Sequence, residues 1–204
     1  MLTTFSLIVL FFSIVIHEIA HGSVALHLGD PTAKNAGRLT LNPIKHIDLF
    51  GTIILPLFLV ILHSPFVIGW AKPVPVNPFN FRDQKWGALK VAAAGPAMNF
   101  LVGIIFSLAV RFIDLPETVL LLFGIIALYN FAWGIFNLIP LPPFDGSHIL
   151  LNFIPSPKFN QFKLFLHQYG LFIFLFFIFF GGLNLIFKGA AIIFSFITGQ
   201  LLII

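Results

Sequence analysis

Two histidines and a glutamate near the amino terminus have the types and spacing of a metal site. His17, Glu18 and His21 form the pattern His-Glu-x-x-His inside a long apolar stretch. Residues four positions apart lie on the same face of an α-helix, so both imidazoles can reach one cation. The intervening carboxylate is then placed to act as a base toward a water molecule that the metal activates. The motif therefore predicts a metal site with hydrolytic chemistry.

The apolar surroundings favour this interpretation over a purely structural one. In the alternative, His17 and His21 only form hydrogen bonds with neighbouring helices. Ionisable groups inside a membrane span are unfavourable and usually have a function. The chain has no cysteine, so any zinc must be held by histidine, aspartate or glutamate. We interpret the motif as two zinc ligands and a catalytic carboxylate.

A catalytic zinc site needs a third protein ligand and one open position. Asp145 follows a long apolar stretch and the Pro140-Leu-Pro142-Pro143 segment, where prolines end or unwind a helix. It could be that ligand, or it could cap a short helix that begins near Ser147. The spacing alone leaves both alternatives open.

The other histidines have no supporting pattern. His27 lies on the wrong face of the first helix, and His148 is assigned no role. The remaining three are interpreted as ordinary solvated or hydrogen-bonded side chains: His46, His63 and His167.

The composition places these residues in a membrane protein. Of 204 residues, 59% are hydrophobic and 9% charged, whereas soluble domains have about 25% charged residues. This balance excludes a water-soluble domain and a disordered chain. No dense basic run suggests nucleic acid. We expect one membrane-embedded domain over residues 1–204, with a catalytic core at 1–155 and a C-terminal helical hairpin at 158–204.

Six apolar stretches are long enough to be read as membrane elements. The first lacks a basic leading region and a clean cleavage signature, so we interpret it as a span and not as a signal peptide. The last two are separated at Gly181-Gly182 or at Lys188-Gly189, and a hairpin is favoured over one long bent helix. The stretches are 3–28, 49–69, 89–111, 118–139, 164–181 and 184–204.

Two connections differ from ordinary loops. Residues 36–44 alternate as a strand does, which predicts a short membrane-associated β-strand or hairpin. Residues 70–78 contain too many prolines for a helix. Irregular backbone at the membrane must line protein or water, because lipid cannot satisfy its polar groups.

Three motifs in this order resemble the site-2 protease family of intramembrane zinc metalloproteases. The resemblance spans residues 17–146. Because the sequence shows no PDZ-sized insertion, it resembles the minimal members of the family. The segment 51–78 is similar to a feature of one compact prokaryotic subgroup. The motifs are His17-Glu18-Ile19-Ala20-His21, Ala94-Gly95-Pro96-Ala97-Met98-Asn99 and Asn137…Pro140…Asp145-Gly146.

The resemblance implies a role for each matching residue. His17, His21 and Asp145 would bind Zn²⁺, and Glu18 would be the catalytic carboxylate. Asn137 and Asn99 would help to position the substrate or the oxyanion, and the Gly95-Pro96…Asn99 motif would shape the neighbouring helix. The implied fold is an all-α polytopic membrane protein.

A shared metal constrains the topology. If every stretch between the motifs crosses the bilayer, Asp145 emerges on the face opposite to His21. We therefore predict that 49–69 is re-entrant, with Pro56 and Pro65 as places to bend. All Lys and Arg except Arg111 and Lys188 then share one face, nine against two, whereas six full spans give six against five. The positive-inside rule favours the first arrangement.

We thus expect about five transmembrane helices and one re-entrant element, with the amino terminus outside and the site reached from the cytosolic half. The expected function is hydrolysis of a peptide bond in or near a transmembrane segment of a substrate in a prokaryotic cell membrane, as in regulated intramembrane proteolysis. A substrate helix must unwind first, and an edge strand at 36–44 could hold it.

Two other classes remain as alternatives. A divalent-cation transporter would show a polar path across the bilayer, often with repeat symmetry, and neither is visible. A catalytically inactive membrane scaffold would not need Glu18. The sequence does not define an oligomeric state.

Overall fold

The computed structural model describes residues 1–63, 69–153 and 160–199. Within these ranges the regular structure is entirely helical, and no strand is present. The α-helices are α1 (Leu2–His27), α2 (Thr32–Asn35), α3 (Leu55–Ile61), α4 (Gly87–Phe112), α5 (Glu117–Asn137), α6 (Asp145–Phe153), α7 (Asn160–Phe179) and α8 (Gly182–Thr198). Short 3₁₀ segments lie at Pro43–His46 and Pro78–Asn80, and Leu49–Ile54 is π-helical. The expectation of an all-α polytopic protein is confirmed.

Three long helices, α1, α4 and α5, form the antiparallel centre of the molecule. The ring of His21, late in α1, contacts the carbonyl of Val91 early in α4 at 2.7 Å. Further along, the Asn99 side chain reaches the carbonyl of Ser13 at 3.0 Å. The end of α1, the start of α4 and the end of α5 therefore lie at the same end of the bundle.

Glycines allow these helices to approach closely. A Cβ atom at Gly103 of α4 would lie 2.5 Å from the Phe131 ring of α5. Phe131 is fully buried and belongs to an apolar core that α8 completes with Ile186, Ala190 and Phe194. The last helix thus shares one core with α4 and α5.

Among the described residues, four helices are long and apolar enough to cross a membrane: α1, α4, α5 and α7. The final apolar stretch forms the shorter α8, and its predicted continuation over 200–204 lies outside the described residues. Gly181 separates α7 from α8 with φ 87°, in the left-handed region that favours glycine. This break coincides with the predicted one. The division into a catalytic core and a C-terminal hairpin stays a prediction.

The segment 49–69 begins and ends at the same place. Leu49–Ile61 has 13 helical residues, and a rise of 1.5 Å per residue gives roughly 20 Å, less than the roughly 30 Å of a bilayer core. The amide of Trp70 donates to the carbonyl of Gly51 at 3.1 Å, so the two ends of the segment meet. The antiparallel order of α1 and α4 requires this course. Pro65 lies outside the described residues.

The prediction of a β-strand or hairpin at 36–44 is wrong. All nine residues are described, and none is in a strand. Gly37 adopts φ 63°, and the Asn42 side chain accepts the amide of Ile44 at 3.1 Å to begin a 3₁₀ segment. The Nε2 atom of His46 forms a hydrogen bond with the carbonyl of Thr40 at 2.8 Å. Side chains thus take the hydrogen bonds that a partner strand would have used.

Candidate metal centre

Three side-chain atoms meet at the site end of the bundle. The Nε2 atoms of His17 and His21 lie 2.9 Å apart. Asp145 Oδ2 is 3.0 Å from the first and 3.2 Å from the second. The two histidines are only 3% and 9% exposed. The structure therefore brings together the three predicted ligands, although 124 positions separate His21 from Asp145.

Local helix geometry and a tight turn produce this convergence. His17 and His21 are one turn apart on α1, on the face that packs against α4. Asp145 begins α6, where the chain folds back on the end of α5. A Cβ atom at Gly146 would lie 2.2 Å from the carbonyl oxygen of Leu138, so this close backbone approach requires glycine. The amide of Ser147 donates to the Phe144 carbonyl at 3.0 Å and not to Asp145.

The hydrogen bonds behind the two rings orient both Nε2 lone pairs toward Asp145. His17 Nδ1 lies 2.7 Å from Asn99 Oδ1, and His21 Nδ1 lies 2.7 Å from the carbonyl of Val91. Both partners are oxygens that only accept, so each neutral ring donates from Nδ1 and leaves Nε2 unprotonated. Asp145 Oδ2 is buried and receives no hydrogen bond from the described residues.

Three acceptor atoms this close repel one another unless a cation lies between them. A tetrahedral zinc with bonds of about 2.0–2.1 Å would hold neighbouring ligand atoms about 3.3 Å apart. The observed separations of 2.9, 3.0 and 3.2 Å are near this value. Two imidazoles and one carboxylate also leave the fourth position open, as catalytic zinc sites do. The residues therefore fit a zinc ion.

Asn99 lies behind His17 and not on the cavity. It is completely buried, and its amide nitrogen donates to the Ser13 carbonyl and to Asn130 Oδ1, each at 3.0 Å. Asn130 in turn donates to the Ile126 carbonyl at 2.9 Å. Its visible contact is with the predicted ligand His17, and a role toward substrate stays a prediction. Sequence reasoning missed Asn130, although a buried amide in an apolar span is a signal of function.

Gly95 faces the two histidines directly. A Cβ atom there would lie 2.5 Å from His17 Cε1 and 2.5 Å from His21 Nε2. Such contacts are far shorter than van der Waals distances. The Ala94-Gly95-Pro96 motif therefore provides the empty space on α4 that the imidazoles occupy.

A cavity of about 440 Å³ opens beside the ligands. Its polar wall includes Glu18, Asn137 and the exposed His148, and its apolar wall includes Val74 and Ala92. Asn137 donates its amide nitrogen to the Trp133 carbonyl at 3.0 Å. Its position on the cavity wall supports the predicted role near substrate, which stays a prediction.

Glu18, one position from His17, contacts the connection that precedes α4. Its Oε2 atom accepts the backbone amide of Val74 at 2.7 Å. The proline-rich connection expected at 70–78 is indeed not helical until Pro78, and it lines the cavity. The histidines interpreted as ordinary are absent from the metal-ligand cluster of the described residues: His27, His46, His63 and His167.

Comparison with known proteins agrees with this geometry. The model of peptidase family M50 matches residues 114–180, which include Asn137 and Asp145. The putative zinc metalloprotease YwhC of Bacillus subtilis is 39% identical over 163 residues, which cover 76% of this chain and 71% of that relative. The chain belongs to peptidase family M50, the site-2 protease family.

More distant relatives of this M50 protease carry similar names. Zinc metalloprotease MJ0392 of Methanocaldococcus jannaschii is 29% identical, and putative zinc metalloprotease sll0528 of Synechocystis is 27% identical. Each match covers 76% of this chain but only 36% and 33% of the relatives, so the chain spans about a third of their length. No solved structure matches it. The M50 protease is an integral membrane zinc metalloprotease, and zinc is its metal.

Proposed function

We propose that this protease hydrolyses a peptide bond within or near a transmembrane segment of a membrane-protein substrate, as in regulated intramembrane proteolysis. The observation that carries the proposal is the position of the ligand cluster inside a membrane helix. His17 lies ten residues before the end of α1 at His27, which corresponds to roughly 15 Å along the axis. A substrate bond must reach this depth to be cleaved.

The distribution of charge supports access from the cytosolic half. The connection between α1 and α4, together with the first turn of α4, contains seven cationic residues and lies at the site end of the bundle. By the positive-inside rule this end faces the cytosol, and the amino terminus faces outside. A prokaryotic cell membrane is the proposed location. The seven residues are Lys34, Arg38, Lys45, Lys72, Arg82, Lys85 and Lys90.

The residues around the cavity divide the chemistry between them. His17, His21 and Asp145 would hold the zinc ion, which when bound supplies Lewis acidity toward a water molecule and the peptide carbonyl. Glu18 takes one proton from the water as the water oxygen adds to the carbonyl carbon. As the carbon–nitrogen bond breaks, Glu18 returns the proton to the departing amine and is again a carboxylate.

The substrate must present an extended backbone to these groups. A helix hides its carbonyls in hydrogen bonds between residues four apart, so the bond to be cleaved must leave the helix first. Glycine or proline near that bond should help, since both disfavour helix. A cavity of about 440 Å³ accommodates a few unwound residues and not a second helix.

The test is cleavage of a transmembrane model peptide by the purified protein in liposomes. Zinc-loaded wild type should cleave it, and a chelator should abolish cleavage. Glu18→Gln should keep zinc and lose at least about 1,000-fold in kcat, because the base is lost. Glu117→Gln is the matched control, since Glu117 is exposed at the start of α5.

A second pair of variants tests the metal ligand. Asp145→Ala should lose zinc and activity together, whereas Asp114→Ala, at an exposed position, should keep both. Unchanged turnover in zinc-loaded Glu18→Gln would eliminate the proposed base. Zinc transport into the liposomes without any peptide cleavage would contradict the protease proposal and indicate a transporter.

A further inference from the structure

The hydrogen bond between Glu18 and Val74 belongs to a larger arrangement. Residues 70–77 have no regular structure and cross the cavity wall, and we call this segment the strap. Val74 donates its amide to Glu18 Oε2 at 2.7 Å. Its neighbours on both sides are Pro73 and Pro75, which have no amide hydrogen. Val74 therefore supplies the sole amide donor within these three residues.

The strap approaches α1 closely because Gly22 leaves room for it. Val74 is only 8% exposed. A Cβ atom at Gly22 would lie 2.9 Å from Val74 Cγ1 and 2.6 Å from Leu39 Cδ2. The amide of Val74 thus reaches Glu18 from a packed position and not from a free loop.

The upstream part of the strap is tied to the connection after α1. The amide of Lys72 donates to the His46 carbonyl at 2.9 Å. The guanidinium of Arg38 donates to the Lys72 carbonyl at 2.5 Å. Arg38 is only 6% exposed and forms no ion pair with a carboxylate in the part of the chain that the structure describes. A buried cation is unfavourable unless it is well paired, so its bond to this carbonyl is a specific feature.

The downstream part is tied to the end of α1. Asp30 is completely buried, and its Oδ2 accepts the amide of Asn77 at 2.7 Å. The Asn80 side chain donates to the other oxygen of Asp30 at 2.7 Å. Both ends of the strap are therefore fixed, and the amide of Val74 lies between them.

We propose that the strap positions Glu18 through the Val74 amide, and that Arg38 is a positioning residue that acts through the strap. This inference rests on the proposed function. A base that must accept a proton in one geometry works best when a third group orients it. One carboxylate oxygen is held by Val74, which leaves the other for the proton. Small displacements of such a group can reduce rates by about 100-fold.

The first experiment removes the Val74 N–H donor without changing a side chain. Replacement of Val74 by its α-hydroxy acid converts the amide to an ester and keeps the side chain. We expect kcat to fall about 10- to 100-fold, with KM within about twofold and zinc content unchanged. The same replacement at Ala71, which is in the strap but does not line the cavity, should leave all three values unchanged.

The second experiment tests Arg38 and its route of action. Arg38→Ala should lower kcat about 5- to 20-fold at unchanged zinc content, and Arg38→Lys should recover part of it because an ammonium can donate to the same carbonyl. Lys45→Ala, an exposed cation of the same connection, is the control. Arg38→Ala combined with the Val74 ester should be no worse than the ester alone, since both act through one contact.

The third measurement does not require turnover. Amide hydrogen exchange at Val74 is isolated by the two prolines, and loss of the acceptor in Glu18→Ala should accelerate it at least about tenfold. Arg38→Ala should also accelerate it, whereas Glu117→Ala should not. Wild type that binds zinc but cleaves nothing would refute the proposed function, and this exchange experiment would still decide the positioning role.

Several results would overturn the inference. If the amide of Val74 exchanges at the same rate in wild type and in Glu18→Ala, the hydrogen bond between them is absent. Normal kcat in the ester variant would show that the contact is not used. If the kcat losses of Arg38→Ala and of the Val74 ester multiply in the double variant, Arg38 does not act through the strap. A higher kcat in the ester variant would show that the strap inhibits the enzyme.

Discussion

The metal centre has two sides that are built differently. On the helix side, α4 holds both imidazoles, through Asn99 for His17 and through the Val91 carbonyl for His21. On the strap side, one backbone amide from irregular chain holds Glu18. The first side belongs to packed helices, whereas the second depends on the few hydrogen bonds that fix the two ends of the strap. Metal retention and proton transfer therefore depend on different parts of the molecule.

The geometry of α1 explains why the two sides separate. Successive helical residues are rotated by about 100°, while residues four apart are nearly aligned. His17 and His21 therefore face α4 together, and Glu18 faces the neighbouring direction, where the strap lies. Variants on the helix side should alter zinc affinity, and variants on the strap side should alter turnover at constant zinc.

The largest effect on the helix side is expected from Gly95→Ala. The new Cβ atom would lie 2.5 Å from His21 Nε2, so the imidazoles must move and zinc affinity should fall at least about 100-fold. Zinc content by mass spectrometry and a chelator competition measure this loss.

Gly124→Ala is the matched control, since a Cβ atom there meets only Phe194 at 3.7 Å, an ordinary contact. It replaces a glycine in the middle of α5 and should leave zinc affinity unchanged. Normal zinc binding by Gly95→Ala would show that α4 does not define the space for the ligands.

The next largest effect is expected from Asn99→Ala. Its loss frees His17 Nδ1, and removal of such a partner typically weakens metal binding about 10- to 100-fold. Asn130→Ala should produce a smaller, roughly threefold loss, because Asn130 acts through Asn99. Zinc competition assays rank the variants, with the exposed Asn184→Ala of α8 as control. Equal losses for Asn99→Ala and Asn130→Ala would contradict this order.

Local geometry made part of the candidate site predictable from the sequence. The spacing of His17 and His21 determines their common face in any helix, so the pair was predictable from residue types alone. For Asp145, the spacing left two alternative roles, a metal ligand and a helix cap. The family resemblance favoured the ligand. The requirement that these three residues share one metal then predicted the return of the 49–69 segment.

The remaining features depend on contacts between distant segments. Gly95 was expected to shape the neighbouring helix, but the imidazoles that it accommodates belong to α1 and are visible only once the helices are packed. The alternation at 36–44 predicted a strand wrongly, because a period of two does not supply a hydrogen-bonding partner. The Val74 contact uses a backbone amide, which side-chain patterns do not reveal.

A smaller effect on the helix side is expected from Phe174→Ala. The Phe174 ring of α7 packs against Phe144 at 4.5 Å between centroids, and Phe144 immediately precedes Asp145. An aromatic pair contributes about 0.5–1.5 kcal/mol, so zinc affinity should fall roughly two- to tenfold. Phe172→Ala on the same helix is the control, since Phe172 is 68% exposed. Identical affinities for the two variants would remove α7 from the support of the third ligand.

The smallest effect on the chemistry is expected from Asp30→Ala, at the far end of the strap. Burial disfavours the charge of Asp30, but donors from Asn77, Thr32 and Asn80 outweigh it and hold its pKa below the usual value. A lowered pKa means that the stabilisation is present above the unfolded value near 4 and is lost as the pH falls through the folded value. At pH 7 the variant should lose about 1–3 kcal/mol of unfolding free energy, and zinc affinity should not change.

The pH dependence identifies this carboxylate as the cause. Thermal unfolding of the metal-free protein in detergent should show a lower midpoint for Asp30→Ala at pH 7. The difference from wild type should shrink as the pH falls below about 4, where the unfolded chain binds a proton at Asp30. Asp114→Ala is the control, because Asp114 is exposed between α4 and α5. A difference that stays constant between pH 7 and pH 3 would assign the stabilisation to packing. A loss of zinc in Asp30→Ala would show instead that the strap side also supports the metal ligands.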